Sequence, residues 1–473
     1  MQDRAKHVLK ETGWGVRVLP PGTLPGQADI TGSNRPERLH ESTMTRIDLE
    51  QYVRKAGLPA GEEQDRFREA LSTEWATSVG LFEREDLAQR ISPEAIRRAL
   101  VGMKLEPADY APALEAVARR VAEDAVFRRL WEHCWHLTYR YEPKDRWGAK
   151  EWWPFERYLR DEAGEFFLSV LLSHYDYLMD VVQTRSIPAE IVDATLAQVT
   201  ERVCEDTART GRVGLTWGIH WFRNHLAGRI FRLGRLMFMP WPFEGKLTLY
   251  RNRRTGKMVA VPHSGQRFRR DGQFDGAGGR HDPDGAWTSQ VYEHGGTLIS
   301  NTWISPRGCA RREEVRLDLT EWEAVLRQGD QSLEFHIPGG EPLDHAACGE
   351  SFRWSLEFFA KHFPEITPRA IYSGGWWGDP QLQDMLPPTA NLVRFQQEMY
   401  LYPTMYSAGN EQHVLGSDYK NLDDAPQRTA LQRAVVKHLR AGGHMMAGCC
   451  FLLADDVTAG CWGKQHYINM SGP

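Results

Sequence analysis

No stretch of the 473-residue chain offers the roughly 20 consecutive apolar residues that a membrane-spanning helix needs, so no membrane partner is expected. The opening MQDRAKHVLKETGW has no apolar centre, and no secretory signal is expected. Cysteine is scarce: there are seven, an odd number, with no CxxC spacing among them. A disulfide framework is therefore not expected, and reduced thiols in a cytoplasmic protein are. Positive charge is not in excess either, since the formal net charge is -5, which argues against holding nucleic acid by bulk charge. The GxSxG word of a hydrolase elbow is absent, so Ser351 near His345 and Asp344 makes no such site. Glu132-His133-Cys134-Trp135-His136 carries metal-capable atoms, but adjacent helical positions point apart, and no metal site is expected. Cys449-Cys450, inside the apolar run GCCFLL, reads as buried structural cysteine.

What the chain has is length and aromatic mass. Its length suits two or three domains with large cores. Seventeen tryptophans cluster around 131–153, 217–241 and 376–377, as core or as the lining of a long apolar pocket. Residues 1–45 are Pro/Gly-rich and weakly periodic, an irregular lead-in. Residues 46–210 read as a helical domain, with helices over 46–56, 93–100, 107–123, 126–139, 162–183 and 189–207. Ser92-Pro93-Glu94 is a helix start with proline at the first position.

The pattern changes at Gly211, and residues 211–473 read as a second domain. Strand-like residues at 237–241 precede a hairpin, 247–250 with 258–261, around the basic turn RNRRTGK. A polar loop over 266–286 leads to strands at 287–292 and 298–303 and a short helix over 319–328.

The domain is organised around 331–365, QSLEFHIPGGEPLDHAACGESFRWSLEFFAKHFPE. Leu333, Phe335 and Ile337 alternate with Glu334 and His336, so one strand face is apolar and the other carries a carboxylate beside an imidazole. Pro338 stops the strand, and Gly339-Gly340 permits a tight turn or the close approach of a ligand. Asp344 then caps a helix whose Phe352, Leu356, Phe359 and Phe363 share a face. A strand running through such a turn into a helix N-terminus can cradle an anion. Beyond it come a strand at 369–376, a helix over 390–400, strands at 404–407 and 413–415, and a helix over 428–440 stopped by Gly442-Gly443.

The words GIHWFRNHLAGRIFRLGRLMF, TEWEAVLRQGDQSLEFHIPGGEPL, SFRWSLEFFAKHFPE, NLVRFQQEMYL and RTALQRAVVKHLRAGG follow one another in that order. In them the chain resembles a bacterial family of GNAT-like acyltransferases, with a helical N-terminal domain before a GNAT-like C-terminal domain. The resemblance runs from about residue 45 and is most specific between Gly218 and Gly443. It implies an α+β fold: a helical domain, then a mixed, twisted sheet flanked by helices, whose central strand splays from its neighbour to admit the pantetheine arm of an acyl-CoA. The usual Gln/Arg-x-x-Gly-x-Gly pyrophosphate loop is absent, and GGEPLDHA stands at the equivalent place. Two segments depart from the family pattern near the expected acyl channel, Ser373-Gly-Gly-Trp-Trp-Gly-Asp-Pro380 and Ala390-Asn391-Leu392.

The implied reaction passes an acyl group from acyl-CoA, the donor substrate, directly to an amine of a small metabolite, peptide or natural-product intermediate. A lysine-like amine, with a pKa of about 10.4, is mostly protonated at neutral pH, so a base is useful, and His336 or Glu334 can serve. Strand N–H groups around Ile337 can hold the oxyanion. Tyr400 and Ser373 are candidates to protonate the departing thiolate. Gly339, Gly340, Trp376 and Asn391 are donor-binding candidates, Asn391 having helix capping as its plainer role. Two other readings stand beside this one: a catalytically silent acyl-CoA sensor, and a transferase taking its donor from an acyl carrier protein docked on the basic residues of 251–257 or 267–270.

Overall fold

The computed structural model describes residues 43–82, 87–141, 155, 158–216, 218–416 and 418–472. Most of the lead-in expected over 1–45 lies outside the described residues. The described residues form two compact units, dividing between Phe231 and Arg232.

The first unit is helical: α1 (Thr43–Lys55), α2 (Glu62–Ser72), α3 (Trp75–Phe82), α4 (Pro93–Gly102), α5 (Pro107–Glu123), α6 (Ala125–Tyr139), α7 (Ala163–Leu172), α8 (Tyr175–Thr184), α9 (Ala189–Thr210) and α10 (Ile219–Leu226). Local chemistry fixes several of the starts. The Ser92 hydroxyl accepts from the Ala95 N–H with Pro93 at the first position of α4, a cap that contributes about 1 kcal/mol. The Asp124 carboxylate accepts from the N–H groups of Val126 and Phe127 at the head of α6. Every residue of α7 is buried, as expected for a helix apolar all round.

The sequence pattern suggested one helix over 162–183; the chain instead breaks into α7 and α8 at Ser173 and His174. There the Ser173 hydroxyl donates to the Val170 carbonyl at 2.6 Å, and the His174 ring lies flat on Tyr139, centroids 3.7 Å apart. Beyond Gly211 the chain stays with this unit. The Arg212 guanidinium donates to Glu165 of α7, and Gly214 lies against Gly164 so closely that a Cβ on Gly214 would meet backbone at 2.5 Å.

The division falls inside β1 (Phe231–Leu233), and the second unit continues with β2 (Leu236–Pro240), β3 (Leu247–Asn252) and β4 (Met258–Pro262). Short strands follow: β5 (Arg267–Phe268), β6 (Trp287–Thr288), β7 (Val291–His294), β8 (Thr297–Ser300), β9 (Trp303–Ser305), β10 (Cys309–Arg311) and β11 (Val315–Asp318). Next come β12 (Trp322–Arg327), β13 (Ser332–His336), α11 (His345–His362) and β14 (Ala370–Gly375). The chain closes with α12 (Leu382–Met385), α13 (Asn391–Gln397), β15 (Tyr400–Pro403), α14 (Gln412–Leu415), α15 (Ala430–Arg440), β16 (Gly448–Leu453), α16 (Ala454–Thr458) and α17 (His466–Met470). One sheet has the order β1-β2-β13-β14-β16-β15, and a second has β10-β9-β4-β3-β12. The first is mixed, with β13 antiparallel to β2 and parallel to β14.

Three expectations are corrected here. The helix expected over 319–328 is strand β12, paired with β3 through Trp322↔Asn252 and Glu323↔Arg251 and bulged between Ala324 and Leu326. Its apolar residues suit either period, and the free edge of β3 decides the matter. The helix over 390–400 ends at Gln397, because Tyr400 starts β15 against Phe451 of β16. The strands expected at 404–407 and 413–415 do not form; the latter is α14. The apolar run GCCFLL is β16, a central strand.

Candidate active site

The strands β13 and β14 are in parallel register at Ser332↔Ala370, Leu333↔Ile371 and Glu334↔Tyr372. Past that point they part. Among the described residues, the register partners of Phe335 and His336 are Phe238 and Met237 of β2, while those of Ser373, Gly374 and Gly375 are Cys450, Cys449 and Gly448 of β16. Two neighbouring strands that each keep their outer partner and lose register with each other open a gap between their facing edges. An extended amide chain is the ligand such a gap fits.

Register partners project to the same face. Glu334, Tyr372, Phe451 and Tyr400 therefore form one row across the sheet, and His336, Gly374, Cys449 and Tyr402 occupy the same face. Leu333, Phe335, Ser373 and Cys450 occupy the other, where the Phe335 ring meets Phe352 at 5.2 Å and Trp377 at 5.4 Å. The His336 Nε2 lies 3.4 Å from the Glu334 Oε2, with the imidazole side chain 23% exposed and the carboxylate 8%. An accessible imidazole backed by a buried carboxylate is the arrangement of a general base and the group that orients it.

The other candidates divide. Ile337 is half-buried at the end of the strand, and Gly339 and Gly340 are exposed in the turn that follows, Gly340 at φ +85° where glycine is favoured. Trp376 is half-buried directly after β14. Asn391 is exposed at the first position of α13, and Ala390 rather than Asn391 holds the cap position. Ser373 is buried on the face opposite Glu334 and His336, so it is not brought together with them. Tyr400 shares their face, but its hydroxyl donates to the Ile304 carbonyl and accepts from the Ala260 N–H at 3.3 Å. Burial pushes its phenol well above the ordinary tyrosine range. That hydroxyl joins two sheets and is not free to protonate a thiolate.

Two residues escaped the sequence reading. Cys449, expected to be buried, is half-buried on the dyad's face, and its sulfur stands where a Cβ on Gly374 would be, 2.3 Å away. Arg235 sits beneath the turn 338–342 and donates to the carbonyls of Pro338, Glu341 and Pro342. Its signal was a lone cation between glycine and the apolar run LMFM.

The basic stretches expected to dock a carrier protein are largely engaged in salt bridges within the chain. Arg251 pairs with Asp456, Arg253 with Glu323, Arg267 with Asp275 and Arg270 with Asp282. Arg269 is buried, donating to Ala277 and Arg280 carbonyls. Among the described residues, no group of three or more His, Cys, Asp or Glu could hold a metal ion. His133 instead bonds Ser78, its pKa lowered to about 3 chiefly by burial. No described helix is long and apolar enough to cross a membrane.

A mixed sheet whose central parallel strands part beside a His-carboxylate pair is the frame of a GNAT-type acyltransferase. The family models agree: the N-acyltransferase N-terminal domain matches residues 94–228 and the GNAT-like C-terminal domain matches residues 230–452. The chain belongs to this family of GNAT-like acyltransferases. Among solved structures, an acyltransferase in complex with decanoyl-CoA and teicoplanin is similar at 21% identity and TM-score 0.51, over 86% of this chain and 99% of that one. A mutant acyltransferase in complex with octanoyl-CoA is similar at 20% identity and TM-score 0.50, over 86% and 99%. These likenesses are of fold. No curated protein matches the sequence.

Proposed function

We propose that the protein transfers an acyl group from acyl-CoA directly to an amine, with His336 as the base and Glu334 orienting it. The observation that carries the proposal is the parting of β13 from β14 after Glu334 and Tyr372, with His336 on the strand that borders the gap. The pantetheine arm lies in that gap and pairs with the β13 backbone, which brings the thioester carbonyl to the end of the strand. N–H groups around Ile337 hold the oxyanion. The amine nitrogen attacks the carbonyl carbon as His336 takes its proton; the C–N bond forms and the C–S bond breaks. The thiolate leaves with the electron pair of that bond, and the proton on His336 is available to it. No second acid is needed, consistent with the bonded Tyr400 hydroxyl and with Ser373 on the far face. The turn 338–342 and the head of α11 receive the diphosphate.

Direct transfer is preferred to an acyl-enzyme, since the GxSxG elbow of an activated serine is absent from the sequence. Donors of eight to ten carbons are the first to try, since the two fold neighbours hold octanoyl-CoA and decanoyl-CoA. The test is a thermal-shift titration with CoA and acyl-CoAs of increasing length, followed by thiol release in the presence of amines. Saturating ligand at about 100 times its Kd adds about 2.7 kcal/mol to a folded protein that binds it. No shift with any CoA species removes the acyl-CoA reading, and a shift without thiol release under any amine leaves a sensor in its place.

A further inference from the structure

We infer that Arg235 is the positioning residue of the donor turn, and that its buried charge is what makes this turn a diphosphate site without the usual glycine-rich loop. The inference rests on the acyl-CoA reading above. Arg235 is 6% exposed. Its Nε donates to the Pro342 carbonyl at 2.8 Å, its Nη1 to Pro338 at 2.9 Å and its Nη2 to Glu341 at 2.7 Å. Its own N–H donates to the Ser351 hydroxyl at 2.9 Å, which in turn donates to the Ala347 carbonyl in the first turns of α11. One side chain thus ties the turn from below while its backbone is held to the helix that follows.

Two consequences come from elementary chemistry. The described peptide bonds are all trans, so a carbonyl that points at Arg235 sends the N–H of the next residue the other way. Pro338 and Pro342 offer their carbonyls inward, and the N–H groups of Gly339 and Leu343 therefore face away from Arg235. The Glu341 carbonyl also points inward, but the next residue is Pro342, which has no N–H to present. Gly339 is exposed, so its outward N–H is accessible.

The second consequence is electrostatic. Among the described residues no carboxylate lies within ion-pair range of Arg235; the nearby Glu341 carboxylate is bound to Arg232 at 3.0 Å. A buried guanidinium whose direct partners are three carbonyls, with the more distant Glu341 carboxylate shared with Arg232, contributes positive potential at the turn. A diphosphate over that turn meets the outward N–H groups and this charge together, beside a helix head where the Asp344 carboxylate already accepts the Ala347 N–H. Lysine keeps the charge but cannot span three carbonyls, because the planar fork is lost.

The test uses the full chain with Arg235→Lys and Arg235→Gln, assayed with an acyl-CoA and with the matching acyl-pantetheine, which lacks the diphosphate. The expected result is a rise in KM for acyl-CoA of roughly 10- to 100-fold in R235Q, less in R235K, with kcat within about 3-fold. Turnover of acyl-pantetheine is expected to be unchanged. Equal losses with both donors, a fall in kcat alone, or no change overturns the inference and leaves the acyl-CoA reading intact. If neither variant folds, inorganic pyrophosphate is titrated against CoA on the wild type: competition supports the site and its absence overturns it. A wild type that turns over neither donor removes the acyl-CoA reading and this inference with it.

Discussion

Glu334 and Tyr372 are the last residues at which the two parallel central strands face each other in register. The backbone on either side of them has different work. Before them it is spent on the ladder; after them β13 runs on to His336 with one partner strand instead of two. The base candidate thus stands two residues along β13 from the fork, on the same face as the carboxylate that orients it.

His336→Ala is expected to lower kcat by about 10²- to 10⁴-fold, the usual weight of a positioned general base. Donor affinity, read by thermal shift with CoA, should stay within about 3-fold, since the diphosphate and pantetheine contacts lie elsewhere. Glu334→Gln keeps the shape and loses the charge, and is expected to cost less than H336A. Loss of CoA binding together with turnover would instead make His336 a structural residue.

Tyr400→Phe separates catalysis from architecture. The phenol oxygen bonds the Ile304 carbonyl and the Ala260 N–H deep in the sheet interface. Its removal leaves both groups buried without that partner and is expected to cost about 1–3 kcal/mol in urea unfolding. Turnover at a temperature where the variant is folded should match wild type. A large fall in kcat at unchanged stability would make Tyr400 an acid after all.

The helical unit is expected to weaken in acid. Burial lowers the His133 pKa to about 3, and lowers that of His174 as well, with the nearby Arg90, Arg229 and Arg140 charges adding to the effect. Above about pH 6.5 both rings are neutral in either state and cost nothing. As pH falls below that value the unfolded chain takes up protons that the folded unit refuses. Stability then drops by up to about 1.4 kcal/mol per pH unit for each ring, until the folded pKa is passed. Urea midpoints at pH 7, 6 and 5 measure this. His174→Phe should flatten the slope and raise stability at pH 5. Neither His174 ring nitrogen has a hydrogen-bond partner among the described residues, and the ring already stacks on Tyr139.

Gly374→Ala tests the crowding on the dyad's face. The added methyl would lie 2.3 Å from the Cys449 sulfur, so overpacking of about 1–3 kcal/mol is expected. Cys449→Ala in the same chain should recover most of that loss, and a double-mutant cycle by thermal melting reads the coupling. Additive effects would mean that the two positions do not meet.

Much of this protein was decided locally. Ser92 before Pro93, Pro107 and Asp344 each set a helix start through one side chain or one ring, and all three helices begin there. The alternation through Glu334, Phe335 and His336 placed carboxylate and imidazole on one strand face, because a strand has a period of two. The order of the distinctive words was enough for the family. What short spacing could not decide was pairing. Whether 319–328 coils or extends depends on the free edge of β3, and whether GCCFLL is core filler or a central strand depends on β14 and β15 lying on either side. Tyr400 and Ser373 looked alike as proton donors until register put one hydroxyl between two sheets and the other on the far face. Arg235 lies more than a hundred residues before the turn it holds, and no local rule links them. Hydrogen bonds across such separations form only after the chain has closed those loops, so only the tertiary structure determines which groups they join.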